Sequence, residues 1–379
     1  MAPSPLRRPR ASTLLATVAA LPLAYPLWLA FVTRGRRPPE PPQPATWPDV
    51  AAIVPAYREQ HVIAGKLDDL RSAGYPGTLR VLVVAEDDAT AEAARGAGAE
   101  VLSPEGRLGK AEALNRGVAA TREPIVVITD ANTVLAPGSL EALVRWFADA
   151  DVGAVAGEKR VSAPEQGFYW IFESWLKRRE STLGSTVAVV GELAAVRRSL
   201  YRAIPADVSA DDLWIALEVL TQGSAVRYEP DAVAIEEPAD SLSDEWRRRT
   251  RTVCAVIDTA VRRRSTLASA RDAAAVQLLG HRLGRYTGAV AHAAWLLLAL
   301  RPGRRPLMRL ALVAHAGAAL ALLAGARGAP VPAPARIAAQ IVLMQAAGVA
   351  GMARYAYGDR PAQWHKPERP PFVTNPARP

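Results

Sequence analysis

The sequence predicts an α/β domain built on a parallel sheet and flanked by apolar stretches toward both ends of the chain. Three observations predict it. Short apolar runs alternate with helical spacings from Val50 to Ala156, which implies a parallel sheet between helices. Polar residues follow the apolar runs directly, at the carboxyl ends of strands where ligands sit in such sheets. Long runs rich in Ala, Leu and Val lie near each terminus, outside this alternation.

In chain order, the first apolar run extends from about Ser12 to Thr33, long enough to cross a bilayer as a helix. It contains Pro22 and Pro26 and lacks a clean small-residue cleavage site before the Arg cluster, so an uncleaved anchor is expected rather than a signal peptide. Gly35–Asp49 is a Pro-rich spacer. Val50–Pro55 reads as the first strand, a polar helix runs through Leu70, and Thr78–Ala85 reads as the second strand. Gly109–Thr121 has helical spacing, Pro124–Thr129 is a fully apolar third strand, and Val152–Ala156 reads as a fourth. Phe168–Gly184 carries apolar and aromatic residues at helical spacing. Asp211–Gly223 is a second clear helix, and Ala225–Tyr228 and Ala232–Ile235 read as two short strands. The basic stretch Glu245–Arg251 leads into an amphipathic segment ending near Leu283. Three apolar runs follow, about Thr287–Leu300, Leu307–Ala326 and Ile337–Ala353, the first of them short for a crossing.

The formal charge is +9, and only Lys66, Lys110, Lys159, Lys177 and Lys366 among the 46 basic residues are lysines. Basic clusters at Arg7–Arg10, Arg34–Arg37, Arg262–Arg264 and Arg301–Arg305 flank apolar runs, which suits anionic membrane lipids. No zinc-ligand spacing, RNA-binding signature or helix-turn-helix pattern occurs, so no nucleic-acid partner is expected. The single cysteine, Cys254, excludes an internal disulfide framework and fits a reducing compartment.

The polar residues at the strand ends form a constellation. Pro55-Ala-Tyr57 follows the first strand and Glu86-Asp87-Asp88 the second; Lys110 opens a helix, and Asp130-Ala-Asn132 closes the third strand. Gly191-Glu192 and Asp211-Asp212 come later. Carboxylates so placed suit a nucleotide and a divalent cation, because Mg²⁺ and Mn²⁺ prefer oxygen ligands and share them with substrate phosphates. Taken alone, Asp87-Asp88 also reads as a helix cap, and Asp211-Asp212 as a pair favouring a helix macrodipole.

The segments Ala52–Tyr57, Glu86–Asp88, Gly109–Asn115 and Thr129–Thr133 together resemble the family 2 glycosyltransferases with a GT-A fold. Glu173, Arg179–Gly184, Gly191–Arg198, Asp211–Leu213 with Gly223, and His281–Arg285 resemble the membrane-bound subgroup related to cellulose and poly-N-acetylglucosamine synthases. The resemblance covers roughly residues 50 to 300. It implies a GT-A catalytic domain over 50–240, an anchor at 1–34, a linker at 35–49, a basic interface segment at 241–286, membrane helices at 287–357 and a polar tail at 358–379. One N-terminal and about three C-terminal helices would then span the membrane or lie in its interface, with the catalytic domain in the cytoplasm.

The roles implied residue by residue are these. Pro55, Tyr57 and Asp87 or Asp88 would bind the base and ribose of a nucleotide-sugar donor, with a UDP-sugar expected. Lys110 would contact the donor, and Asp130 with Asn132 would hold Mg²⁺ or Mn²⁺ and the diphosphate. Asp212, beside Asp211, would be the general base that deprotonates the acceptor, giving inversion. Gly191, Glu192 and Glu180 would face a lipid, small or glycan acceptor, and Arg248 and Arg251 the donor diphosphate. Processive relatives carry Gln-x-x-Arg-Trp; here Glu245 stands at the Gln position, Arg248 at the Arg and Arg249 at the Trp, so one or a few transfers are expected rather than a polymer. The alternatives are a processive synthase of the same fold and a catalytically silent partner subunit.

Overall fold

The computed structural model describes residues 11–103, 106–161, 164–237, 241–265, 273–301 and 306–359. The Arg7–Arg10 cluster, most of Arg301–Arg305 and nearly all of the tail at 358–379 lie outside the described residues. The chain forms two compact units, one within Thr33–Pro238 and Asp258–Gln277, the other within Met1–Val32, Ala239–Ile257 and Leu278–Asp359.

The first of these units is the sheet domain. Its strands are β1 (Val50–Ala56), β2 (Leu79–Ala85), β3 (Glu100–Leu102), β4 (Ile125–Thr129), β5 (Thr133–Leu135), β6 (Val152–Val161), β7 (Leu193–Arg197) and β8 (Ala225–Glu236). They form one sheet in the order β3-β2-β1-β4-β7-β6-β8-β5. β1, β2, β3 and β4 run parallel, as the alternation requires. The expected all-parallel sheet is corrected at β7, which pairs antiparallel with both β4 and β6, and at β5, antiparallel to β8. The two short strands expected at Ala225–Tyr228 and Ala232–Ile235 are one strand, β8. Glu229-Pro230-Asp231 reads as a turn in sequence, but here it falls at a register shift opposite Gly157, and a bulge is where a strand tolerates proline.

Helices cover both faces of the sheet. Val50, Ala52 and Val54 of β1 point to one face, where they meet Ile63, Leu67 and Leu70 of α2 (Ile63–Arg71) and Ala91 and Ala94 of α3 (Asp88–Gly96). α5 (Ser139–Val144) completes that layer. Ile53 points to the other face and meets Leu114 and Val118 of α4 (Lys110–Ala119), beside Ile215 and Val219 of α7 (Asp211–Thr221). With both faces covered, the central strands are apolar throughout rather than alternating. α6 (Pro164–Ser181) lies against β6 and β8.

The second unit is helical. α1 (Ala11–Val32) packs on α10 (Gly284–Ala299). The fit is close, since a Cβ on Gly288 would stand 2.2 Å from Pro22 Cγ. α8 (Leu242–Arg262) begins in this unit and ends in the sheet domain. The short α9 (Ala273–Gln277) runs into a π-helical turn at Leu278–Leu283, where His281 stacks on Tyr25 with ring centroids 6.3 Å apart. α11 (Pro306–Ala326) and α12 (Ala333–Ala356) close the described chain. Among the described residues two helices, Met308–Ala326 and Ala333–Ala356, are long and apolar enough to cross a membrane.

Ile53 is fully buried where β1 meets α4, the helix that opens with Lys110. Ile53→Ala is expected to cost about 2–5 kcal/mol of stability, measured by urea unfolding of the detergent-solubilised chain.

Candidate active site

Four chain segments deliver charged groups to one edge of the sheet. β4 stops at the Asp130–Thr133 turn, α4 opens with Lys110, α7 opens with Asp211, and Gly191-Glu192 leads into β7. The Lys110 ammonium lies 2.8 Å from Asp130 Oδ1, 3.5 Å from Asp211 Oδ2 and 3.4 Å from the Gly191 carbonyl oxygen. A Cβ on Gly191 would stand 3.0 Å from that nitrogen, so glycine here leaves the lysine its place. Burial works against the Lys110 charge, but the carboxylates of Asp130 and Asp211 outweigh it and hold the ammonium above its ordinary range. Burial pushes the Asp130 carboxyl up; Lys110 opposes this, while Glu192 and Asp211 add to it.

The turn that carries Asp130 is tied on every side. The Thr133 hydroxyl donates to the Asp130 carbonyl oxygen at 2.9 Å, and the Thr129 hydroxyl donates to the Glu192 carbonyl at 3.0 Å. From behind, the buried Lys66 ammonium donates to the Thr133 carbonyl at 3.0 Å and pairs with Asp69 at 3.2 Å. Asn132 is buried, and its amide donates to Glu236 Oε1 at 3.3 Å. The Asp130 carboxylate remains 26 % exposed, facing Lys110.

A second cation sits beside this one. Lys159, on β6, is 1 % exposed, and its ammonium bridges the carboxylates of Glu192 and Glu236. It lies 5.0 Å from the centroid of the Trp170 ring. Next to it Glu158 accepts from the Lys177 ammonium at 2.8 Å, from the Tyr228 hydroxyl at 2.7 Å and from the Ser174 hydroxyl. Sequence reasoning missed Lys66, Lys159, Lys177 and Glu236. The signal was their composition: where nearly every basic residue is Arg, each described lysine is buried or in the site, and each is paired with a carboxylate.

At the ends of β1 and β2 the groups divide between structure and surface. Asp87 accepts from the Arg58 amide at 2.7 Å and from the Thr90 amide at 2.9 Å, capping α3 and tying down the loop after β1. Asp88 is exposed in the first turn of α3. Glu86 accepts the amides of Leu108 and Gly109 and so fixes the start of α4; burial pushes its carboxyl up despite those bonds. Gly109 has φ +95°, a conformation that favours glycine. Pro55 and Tyr57 end β1, and the Arg107 guanidinium lies 4.3 Å from the centroid of the Tyr57 ring.

Of the other expected site residues, Asp212 lines a cleft with Asp211, Gly191, Val189 and Ile215, and its Oδ1 accepts the Leu213 amide at 2.8 Å. Glu180 is fully buried on α6 and accepts from the Thr186 hydroxyl at 2.7 Å, so it is not among the groups gathered around Lys110. Arg248 and Arg251 belong to the helical unit, where Arg248 chelates Glu245 at 3.0 and 2.8 Å and Arg249 pairs with the same carboxylate.

Comparison with known proteins identifies the family of this fold. Residues 48–255 match the family described as glycosyltransferase like family 2. A mannosyltransferase from Pyrobaculum calidifontis, solved in complex with GDP-Man and Mn²⁺, superposes with a TM-score of 0.75 at 27 % identity, covering 92 % of this chain and 99 % of that one. An N-acetylglucosaminyltransferase of Mesorhizobium japonicum is 25 % identical over 242 residues, 56 % of this chain and 57 % of that protein. One of Rhizobium meliloti is 26 % identical over 244 residues, 56 % of each. The chain spans a little over half the length of these curated relatives.

Lys159→Met strands two carboxylates beside a buried methionine and is expected to cost about 3–5 kcal/mol, as for other broken buried pairs. Arg80→Met, which breaks the half-exposed pair with Glu100, should cost under ~1 kcal/mol. Denaturation midpoints of the two variants measured side by side check the contrast.

Proposed function

This chain belongs to glycosyltransferase family 2, and we propose on that premise that it is an inverting, metal-dependent enzyme moving a sugar from a nucleotide diphosphate to an acceptor at the membrane. One observation carries the reading: Lys110 stands between Asp130 and Asp211 at the carboxyl edge of the sheet. An ammonium there is placed to meet a diphosphate, and the carboxylates around it to meet a divalent cation.

The residues present fit such an ion. Among the described residues no three His, Cys, Asp or Glu side chains form a ready ion cage, as is usual where one or two carboxylates share the ion with substrate phosphates. Every donor is oxygen, as Mg²⁺ and Mn²⁺ prefer, and Asp130 is the carboxylate open to hold the ion together with phosphate oxygens. When bound, the ion would neutralise the diphosphate as it leaves. The chain's own residues do the rest. Lys110 pairs with the phosphates in exchange for its carboxylates. The Asp130 turn, tied by Lys66, Thr129, Thr133 and Asn132, holds its position without reorganising. Asp212 lines the cleft and accepts the proton of the acceptor hydroxyl as the new bond forms. Glu192, oriented by Lys159, binds that acceptor.

Tyr57 and Asp88, beyond the ends of β1 and β2, would meet the base, since Asp87 is spent on the Arg58 and Thr90 amides. A UDP-sugar is the first reading, consistent with relatives named N-acetylglucosaminyltransferases. GDP-mannose is the second, favoured by the near full-length likeness to the mannosyltransferase solved with GDP-Man. The sheet domain faces the cytoplasm, where nucleotide sugars are made, and the apolar helices hold it at the membrane. The acceptor is a lipid or small glycan that receives one or a few sugars.

Nucleoside diphosphate release from UDP-GlcNAc and GDP-mannose, with Mn²⁺ or Mg²⁺ and a membrane lipid extract as acceptor, tests this reading. Release from neither donor would point to a silent partner subunit. Asp130→Ala is expected to abolish release and weaken metal-dependent donor binding, read by calorimetry. Asp212→Asn should keep donor affinity and lower turnover by about 10²–10⁴-fold.

A further inference from the structure

α6 has its polarity reversed. The face turned to the sheet carries Glu173, Lys177 and Glu180, at most 4 % exposed, with Leu176 among them. Lys177 pairs there with Glu158, and Glu180 bonds Thr186. The face turned outward carries Ile171, 70 % exposed, Phe172, 43 % exposed, and a half-buried Trp175, followed by Arg178 and Arg179. A surface helix in water shows the opposite arrangement, with its apolar stripe against the core. A helix that buries ions and exposes isoleucine and phenylalanine presents an interaction surface on its outer side.

The outer face is ordered as a ladder. The Phe172 and Trp175 rings stack with centroids 6.2 Å apart and 11° between planes. The Arg179 guanidinium lies 5.7 Å from the Trp175 centroid and donates to Thr33, at 3.1 Å to its hydroxyl and 3.3 Å to its carbonyl. Thr33 is the residue that follows the apolar helix α1 in the chain, and the exposed Arg34, Arg36 and Arg37 come directly after it. Stacked aromatics on the helix that carries Arg178 and Arg179, tied through Thr33 to the run Arg34, Arg36 and Arg37 where the chain leaves an apolar helix, match the boundary between hydrocarbon and anionic headgroups.

We propose that the outer face of α6 is a membrane-docking surface: Ile171, Phe172 and Trp175 lie in the acyl–headgroup boundary of an anionic bilayer, and Arg178, Arg179 and Arg34 to Arg37 meet its phosphates. The sheet domain thereby rests on the bilayer through an element of its own, separate from the apolar helices. This does not depend on the reaction assigned above.

The test uses the full chain reconstituted into vesicles of phosphatidylcholine with phosphatidylglycerol. A nitroxide is attached at Ile171→Cys, and in a second preparation at Arg122→Cys, an exposed position in the turn before β4. The unsubstituted chain, whose Cys254 is buried, is the blank. Power-saturation EPR compares collisions with oxygen, which partitions into lipid, against a water-soluble nickel chelate. Oxygen dominating at 171 and the chelate at 122 is the expected result. Arg178→Gln with Arg179→Gln should shift position 171 toward the chelate in these vesicles. Chelate dominance at 171 in the otherwise unsubstituted chain would overturn the proposal. Shielding from both reagents would also overturn it, because a protein surface rather than lipid would then cover the helix.

Discussion

Four carboxylates at one edge of a sheet repel one another, and folding can gather them only if cations come with them. Lys110 and Lys159 meet that requirement by dividing the carboxylates, Lys110 taking Asp130 and Asp211, Lys159 taking Glu192 and Glu236. Much of the surrounding structure serves this division. β7 runs antiparallel between β4 and β6, with Leu193 opposite Thr129, which brings Glu192, the residue before the strand, to the end of β4 where Asp130 lies rather than to the far edge. β8 continues past its bulge to Glu236, which reaches both Lys159 and Asn132. Lysine suits the task because a compact ammonium on a flexible stem can bridge carboxylates arriving from different strands, where a planar guanidinium prefers a single partner.

Legibility in the sequence followed the range of the interactions. Strands β1, β2 and β4 and the first half of β6 could be read because each is a short, largely apolar run, a pattern set by burial on both faces, whereas the three-residue strands β3 and β5 are too short to show a pattern. The positions of Asp130, Lys110 and Asp211 could be read for the same reason, since strand ends and helix starts are local features. β7 could not, either as a strand or in its direction, because Leu-Ala-Ala-Val-Arg is short and rich in alanine and nothing in it marks an antiparallel neighbour. β8 was divided in two because Glu229-Pro230-Asp231 is turn-like locally, and only pairing with β6 shows that the chain continues through a bulge.

Asp87 illustrates the ambiguity of a carboxylate at a strand end. Sequence alone offers both a helix cap and a contact to a nucleotide, and the structure spends both of its oxygens on the Arg58 amide and on Thr90. Glu86, one residue earlier, instead fixes the loop that sets the start of α4, and so the place of Lys110. Neighbouring acids can thus serve the site by holding its framework. The lysines reverse the lesson: apart from Lys110 they belong to no motif, yet their scarcity beside so many arginines marks them out, and each described one is paired with a carboxylate.

The reversed polarity of α6 connects these two levels. Its inner face supplies Lys177 to Glu158, the residue before Lys159, and Trp170 lies under the Lys159 ammonium. Ile171, the next residue, points away from the protein. A single helix therefore flanks the Lys159 cluster on one side and, on our proposal, the bilayer boundary on the other. On the two proposals together, an acceptor anchored in the bilayer meets the site beside the helix that docks it.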